Sequence, residues 1–254
     1  MKQHTLIPAE RHRRIREIVA AQNIARVADL SAALGVSEVT IRRDLELLEQ
    51  RGVLERTHGG AVLTQRMRRE PAYSASAQVH LEQKRRIGAA AAGLIEPGDT
   101  IFVNSGSTTL QAVQHLPVGA DVAIVTNSLD VALAARERGL RLTLLGGQHR
   151  PQSNGLVGSF TTEALRRMFA DKALIGLEGI SPRFGLTMSS AEEAEIARLM
   201  VERTRGSVIV VADASKFGVV ADFAVAPLEA AGAWVVDAPG VAYADLEIEV
   251  VIAS

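Results

Sequence analysis

The 254-residue chain contains no cysteine. That excludes disulfide staples, thiolate nucleophiles and cysteine-bound zinc, and it fits a reducing cytosol. Long apolar runs are also missing. Strictly apolar stretches such as Val208–Ala212 fall far short of the roughly 20 residues that a spanning helix needs. Charges crowd Glu10–Arg16 where a signal peptide would need an apolar core, so a cytoplasmic location with no membrane partner is expected. No internal repeat or low-complexity tract interrupts the chain. The glycine spacing offers no Gly-x-Gly-x-x-Gly dinucleotide loop, no Gly-x-Ser-x-Gly elbow and no Walker loop. There is no His-Glu-x-x-His pair and the six histidines are scattered, so neither a metal nor a cofactor is expected.

What is present is a globular composition, 47% apolar and 22% charged, in a length that suits one or two domains. The net charge of −1 conceals an asymmetry. Residues 1–69 carry 13 Lys and Arg against 8 Asp and Glu, a balance of +5, and the remainder balances at −6. A basic end joined to an acidic body points to two domains, the first suited to a polyanion or simply carrying a solvated basic face.

Ile15, Ile18 and Val19 form one stripe of a helix over about 9–22, and Val27, Leu30 and Leu34 one of a short second helix closed by Gly35. Ser37 is a good N-cap for a third helix, Glu38 suits its positive end, and Ile41, Leu45 and Leu48 are its buried stripe as far as Arg51. Two short helices joined by Leu34-Gly35-Val36-Ser37 read as a helix-turn-helix, and 53–56 with 61–63 as a hairpin wing behind it. With Ile41 inward, Val39, Arg42, Arg43 and Glu46 point outward. The N-terminal half of a recognition helix reads bases, which makes Ser37, Glu38, Val39, Thr40, Arg42 and Arg43 candidates for duplex DNA. Either arginine can pair with guanine or hold only a phosphate.

The run Ser37-Glu38-Val39-Thr40-Ile41-Arg42-Arg43-Asp44-Leu45, continued by Leu48-Glu49, Gly52 and Arg56-Thr57-His58-Gly59-Gly60-Ala61, closely resembles the DNA-binding domain of DeoR-type bacterial transcriptional regulators. The resemblance implies a winged helix with Arg56, His58 and Gly59 of the wing added to the DNA-contacting set. Asn23 stands where many members have glycine.

Residues 64–83 show no clean periodicity and read as a linker between a DNA-binding domain, 1–63, and a second domain, 84–254. Within the second, apolar runs at 101–104, 122–127, 142–145, 173–177, 207–213, 233–237 and 247–253 alternate with helical stretches. That alternation predicts an α/β domain with a mainly parallel sheet. Asn104-Ser105-Gly106-Ser107-Thr108-Thr109 leads from a strand into a helix, Thr126-Asn127-Ser128 follows the next strand and Gly146-Gly147 the third. Taken singly, each is more often just a turn with an N-cap; three together at strand ends favour a binding site, and the first could hold a phosphate.

These pieces, with Gly185-Leu186-Thr187, Glu193-Ala194 and Asp213-Ala214-Ser215-Lys216-Phe217-Gly218, resemble the effector domain of the same family, related to ribose-5-phosphate isomerase-like enzymes. The resemblance implies a repressor of carbohydrate metabolism governed by a phosphorylated sugar or related metabolite. Asn104, Gly106, Ser107, Thr108, Thr109, Asn127, Gly147, Glu193 and Lys216 are its candidate contacts. Asn104 replaces a common aspartate, and Ala197 stands where many members have lysine. It also implies a homo-oligomer, a dimer or tetramer. The rival is an isomerase or transferase fused to a DNA-binding domain, with Glu193, Asp213 and Lys216 as base and acid. A regulator without catalytic residues is the favoured expectation.

Overall fold

The computed structural model describes residues 7–22, 24–57, 59–63, 65–67, 70, 73–237 and 248–253. The N-terminal part runs α1 (Pro8–Gln22), β1 (Ile24–Arg26), α2 (Val27–Leu34), α3 (Glu38–Gln50), β2 (Glu55–Thr57) and β3 (Gly60–Val62). Ile15, Val19, Leu30, Leu34, Ile41, Leu45 and Leu48 meet in one core with Leu54 and Ala61. Gly35 ends α2 at φ +64°, and the Ser37 hydroxyl accepts the Thr40 N–H at 3.3 Å to start α3. The expected hairpin is one part of a three-stranded antiparallel sheet in the order β1-β3-β2. β1 lies so close to β3 that a Cβ on Gly60 would stand 2.1 Å from the Ala25 carbonyl oxygen.

The described residues between 65 and 83 depart from the open linker expected over 64–83. They hold β4 (Gln65–Arg66), α4 (Tyr73–Gln78) and the beginning of α5 (Leu81–Ala92). The lack of periodicity has a physical source: their described contacts reach across the fold to partners far along the chain.

The remaining elements are β5 (Thr100–Val103), α6 (Ser107–His115), β6 (Ala123–Thr126), α7 (Leu129–Glu137), β7 (Arg141–Leu144), β8 (Gln148–Arg150), β9 (Gly155–Val157) and α8 (Ser159–Arg166). After them come β10 (Lys172–Gly176), β11 (Gly179–Ser181), β12 (Gly185–Met188), α9 (Ala191–Glu202), β13 (Val208–Ala212), β14 (Val219–Val220), β15 (Phe223–Ala226), β16 (Ala233–Val236) and β17 (Glu249–Ile252). Seven strands form a parallel sheet in the order β17-β16-β13-β10-β5-β6-β7. All seven lie within the seven apolar runs or one residue beyond them. One apolar cluster around Phe102, Ile175, Val210 and Trp234 covers one face, and another around Ile101, Leu174, Ile209 and Val235 covers the other. Consecutive residues of β5, β6, β10, β13 and β16 thus feed opposite cores.

The chain starts the sheet at β5, builds outward through β6 and β7, then returns to the other side of β5 with β10. The strand order therefore reverses between β5 and β10, and such a sheet opens a crevice beyond the carboxyl ends of the two strands at that point. A small antiparallel sheet in the order β11-β12-β15 and the β8-β9 hairpin are additions to the expected architecture. No helix among the described residues is long and apolar enough to cross a membrane.

Candidate functional site

The first candidate surface is the outer side of α3. Val39 is 74% exposed, and Ser37, Glu38, Arg42 and Arg43 are exposed with it. Thr40 is half-buried, its hydroxyl 2.9 Å from that of Ser37. Arg42 rests on Glu38 at 2.9 Å, one helical turn back. Asp44, in the middle of the same motif, faces the other way. It is buried against α1, where Arg11 grips it through two nitrogens, Nη2 at 2.9 Å, and His12 Nε2 lies 2.8 Å away. Burial alone would raise the Asp44 pKa; the hydrogen bonds from Arg11 and His12 more than offset this and hold it below its ordinary value. In the wing, Arg56 is exposed and its N–H reaches Glu49 Oε1 at 3.1 Å. Gly59 is exposed, and its carbonyl accepts the Val27 N–H at 2.7 Å. His58 lies outside the described residues.

The second is a cavity at the crevice between β5 and β10. Ser105, Gly106, Ser107 and Thr108 line it after β5, Gly176 at the end of β10 with Leu177 and Glu178 beyond it, and Lys216 after β13. Glu193 enters from α9 and Lys84 from α5. Met67, Glu70, Tyr73 and Ser76, from the stretch between the wing and α5, complete a further wall.

Its lining carries groups of both charges. There α6 begins. Gly106 caps it with no side chain, whereas Ser128 and Ser190 fill the corresponding place on α7 and α9 with their own hydroxyls. The first amides of α6 are therefore left for an outside acceptor. Lys84 is 2% exposed and donates from Nζ to the Ser76 carbonyl at 2.5 Å. Burial lowers its pKa; Asp213 opposes that and Lys216 reinforces it. Carboxylates line the cavity as well. Ser105 Oγ donates to Glu193 Oε1 at 2.9 Å, and Arg150 Nη1 bridges Glu193 Oε2 at 3.2 Å and Glu70 Oε1 at 2.7 Å. Burial raises the pKa of Glu193 and of Glu178. Hydroxyls oppose this, from Ser153 and Ser105 at Glu193 and from Ser189 at Glu178.

Of the nine expected effector contacts, Gly106, Ser107, Thr108, Glu193 and Lys216 meet on the cavity. The other four do not line it. Asn104 is 2% exposed and turned sideways into the sheet, donating to the Gly176 carbonyl and accepting the Gly176 N–H, both at 2.9 Å. Thr109 is wholly buried, its hydroxyl returning to the Asn104 and Gly106 carbonyls at 2.9 Å. Asn127 accepts the Ser105 N–H at 3.2 Å and so shapes the turn from outside the cavity. A Cβ on Gly147 would strike Thr161 Oγ1 at 2.4 Å, so this glycine serves a close approach of two segments. Ala197 is also fully buried among apolar side chains, away from the lining. Asp213 accepts the Ser215 N–H at 3.0 Å in its own turn and is not on the lining, so the three candidate acid–base groups do not converge.

Lys84, Glu70, Glu178 and Arg150 were missed. Lys84 could have been found: it shares a helical stripe with Ile87 and Ala91, at i+3 and i+7, and all three are buried.

Comparison with known proteins agrees with both halves. Residues 11–67 match the DeoR-like helix-turn-helix domain, and residues 79–238 match the DeoR C terminal sensor domain. The chain is 37% identical over 213 residues to the HTH-type transcriptional regulator GlpR of Haloferax volcanii, covering 84% of this chain and 83% of that one. The HTH-type transcriptional repressor GlcR of Bacillus subtilis is 33% identical, covering 91% of this chain and 90% of its own. Among solved structures, ribose 5-phosphate isomerase A from Methanocaldococcus jannaschii aligns over 54% of each chain at 15% identity, with a TM-score of 0.41.

Proposed function

The chain belongs to the DeoR family of helix-turn-helix transcriptional regulators, and from that premise we propose that it represses a carbohydrate-metabolism operon under the control of a phosphorylated sugar or related metabolite. Double-stranded operator DNA lies along α3, where Arg42 and Arg43 supply base or phosphate contacts and Val39 an apolar one, and Ser37, Glu38, Thr40, Arg56, His58 and Gly59 border it. The metabolite binds in the cavity at the strand-order reversal.

One observation carries the ligand reading: the uncapped start of α6 and two lysine side chains, Lys84 and Lys216, face the same cavity. A phosphate there accepts amide N–H groups, sits on the positive end of the helix dipole and neutralises a buried ammonium. The sugar hydroxyls then donate to Glu193 and its neighbours. Glu193 is held by Ser105 and Arg150, an arrangement that suits binding rather than proton shuttling. No turnover of the ligand is expected.

The test is a thermal-shift screen of phosphorylated sugars on the full chain, with each hit assayed on DNA from upstream of the protein's own coding region. A hit that alters DNA affinity and is recovered unchanged after incubation supports the reading. Conversion of the hit at ordinary enzyme rates, near 10 per second, overturns it. A single winged module spans few base pairs, so the regulator acts as at least a dimer on half-sites about one helical turn, or a multiple of it, apart. A monomer by light scattering that still binds one short site tightly would contradict this.

A further inference from the structure

We infer that a ligand in the cavity clamps the stretch between the wing and α5, so that ligand occupancy and the seating of that stretch are one equilibrium with Glu70–Arg150 as its latch. The inference rests on the cavity being the effector site.

The fourth wall of the cavity is not part of the parallel-sheet domain proper. Met67, Glu70, Tyr73 and Ser76 supply it, and the cavity is complete only while they are seated. Among the described residues, the bonds that seat them include the Met67 N–H to the Val220 carbonyl at 2.9 Å, the Ser189 hydroxyl to Met67 Sδ at 3.0 Å, the pairing of β4 with β14, the two-nitrogen hold of Arg150 on the Glu70 carboxylate, and Lys84 on the Ser76 carbonyl. Two of these lead straight into the ligand's surroundings. Arg150 also holds Glu193, and Lys84 lines the same cavity as the start of α6. A third lies one short loop away: Lys216 lines the cavity, and β14, which carries β4, begins three residues later at Val219.

A ligand touching both walls gains contacts only in the seated state, so it shifts the population toward that state by its difference in affinity. Reciprocity then requires that loosening the latch weaken the ligand by the same factor. Lys84 can serve both walls at once, because an ammonium has three donors and the Ser76 carbonyl takes one. The stretch so clamped leads directly into the wing, which makes it the physical connection between metabolite and DNA.

The experiment follows hydrogen exchange in the full chain, with inorganic phosphate first and then ribose 5-phosphate, fructose 1-phosphate and glucose 6-phosphate in turn. In the wild type, the phosphate that binds slows exchange at the Met67 amide and across α4. In Arg150→Gln the same compound binds about tenfold more weakly and the slowing disappears, while Arg150→Lys recovers part of both. Glu70→Gln gives the same loss, and combining it with Arg150→Gln adds little further. Binding without any change in exchange at Met67 and α4 overturns the clamp and leaves the cavity as the effector site. Failure of all four compounds to bind overturns the effector site and the clamp with it.

Discussion

Replacing Asp44 by asparagine is expected to destabilise the DNA-binding half without touching its outer face. The side chain is 4% exposed and lies between α3 and α1, gripped by Arg11, itself 8% exposed, with His12 at its edge. Asparagine preserves the shape but removes the charge and one acceptor, and its amide N–H₂ turns a donor toward the guanidinium. Breaking a buried pair by neutralising one partner costs about 3–5 kcal/mol. The edge that His12 leaves toward water places this pair near the lower figure, about 3 kcal/mol. With a urea dependence of about 2 kcal/mol per molar, the midpoint for this half falls by roughly 1.5 M. The measurement is urea unfolding followed by exchange of the α1 and α3 amides. Acid has the same target. Because its folded pKa is lowered, Asp44 contributes stability above its ordinary range, lost as pH falls through the lowered value. Asp44→Asn therefore flattens the acid limb of the unfolding curve. A loss below about 1 kcal/mol with an unchanged acid limb would refute the argument.

Arg42→Ala and Arg43→Ala each weaken specific DNA binding, by about 1–3 kcal/mol where the contact is to a base, and a gel-shift series over single-base operator variants shows which position loses discrimination. Thr108→Asp places a negative charge at the start of α6 and abolishes binding of a sugar phosphate, a loss of several kcal/mol by calorimetry, whereas Thr108→Ser retains it. Glu178 behaves in the opposite sense to Asp44. Its pKa is raised by burial, so its contribution is present below the ordinary carboxylate range and lost as pH rises through the raised value. Glu178→Gln should remove that decline in melting temperature on the alkaline side, as read by calorimetry.

The architecture was readable where its causes are local. The seven runs that became the parallel sheet are short and largely apolar, 208–211 being β-branched throughout, and the helix-turn-helix shows in the spacing of Ile41, Leu45 and Leu48 about a good cap. The three residues of β1 are too few for any period, and they exist as a strand because β3 pairs with them. The small β11-β12-β15 sheet joins segments near 180 and 225. The cavity was half readable. Ser105, Gly106, Ser107 and Thr108 of its lining sit in one turn, whereas Glu70 and Arg150 are 80 positions apart and nothing near either foretells the other. Asn104 was misjudged for a related reason: its position at a strand end points to the crevice, but its amide can both donate and accept, and the neighbouring strand at Gly176 uses both functions.

The seam between the wing and the small antiparallel sheet bears on how such regulators can be recombined. Glu55 of β2 accepts the Ser181 hydroxyl at 2.7 Å, while that same oxygen accepts the amides of Arg183 and Phe184, each at 3.2 Å. Gly218, at φ +76°, leaves room for the Leu63 carbonyl, which a Cβ would approach to 2.4 Å. A chimera cut cleanly after residue 63 would therefore not be a neutral exchange of heads. The incoming head must bring an acceptor at position 55, or Ser181 is left with a buried proton and no recipient. It must also bring a chain that follows the Gly218 groove, so the unit that can be transplanted runs through Met67 and includes the residues it lies on.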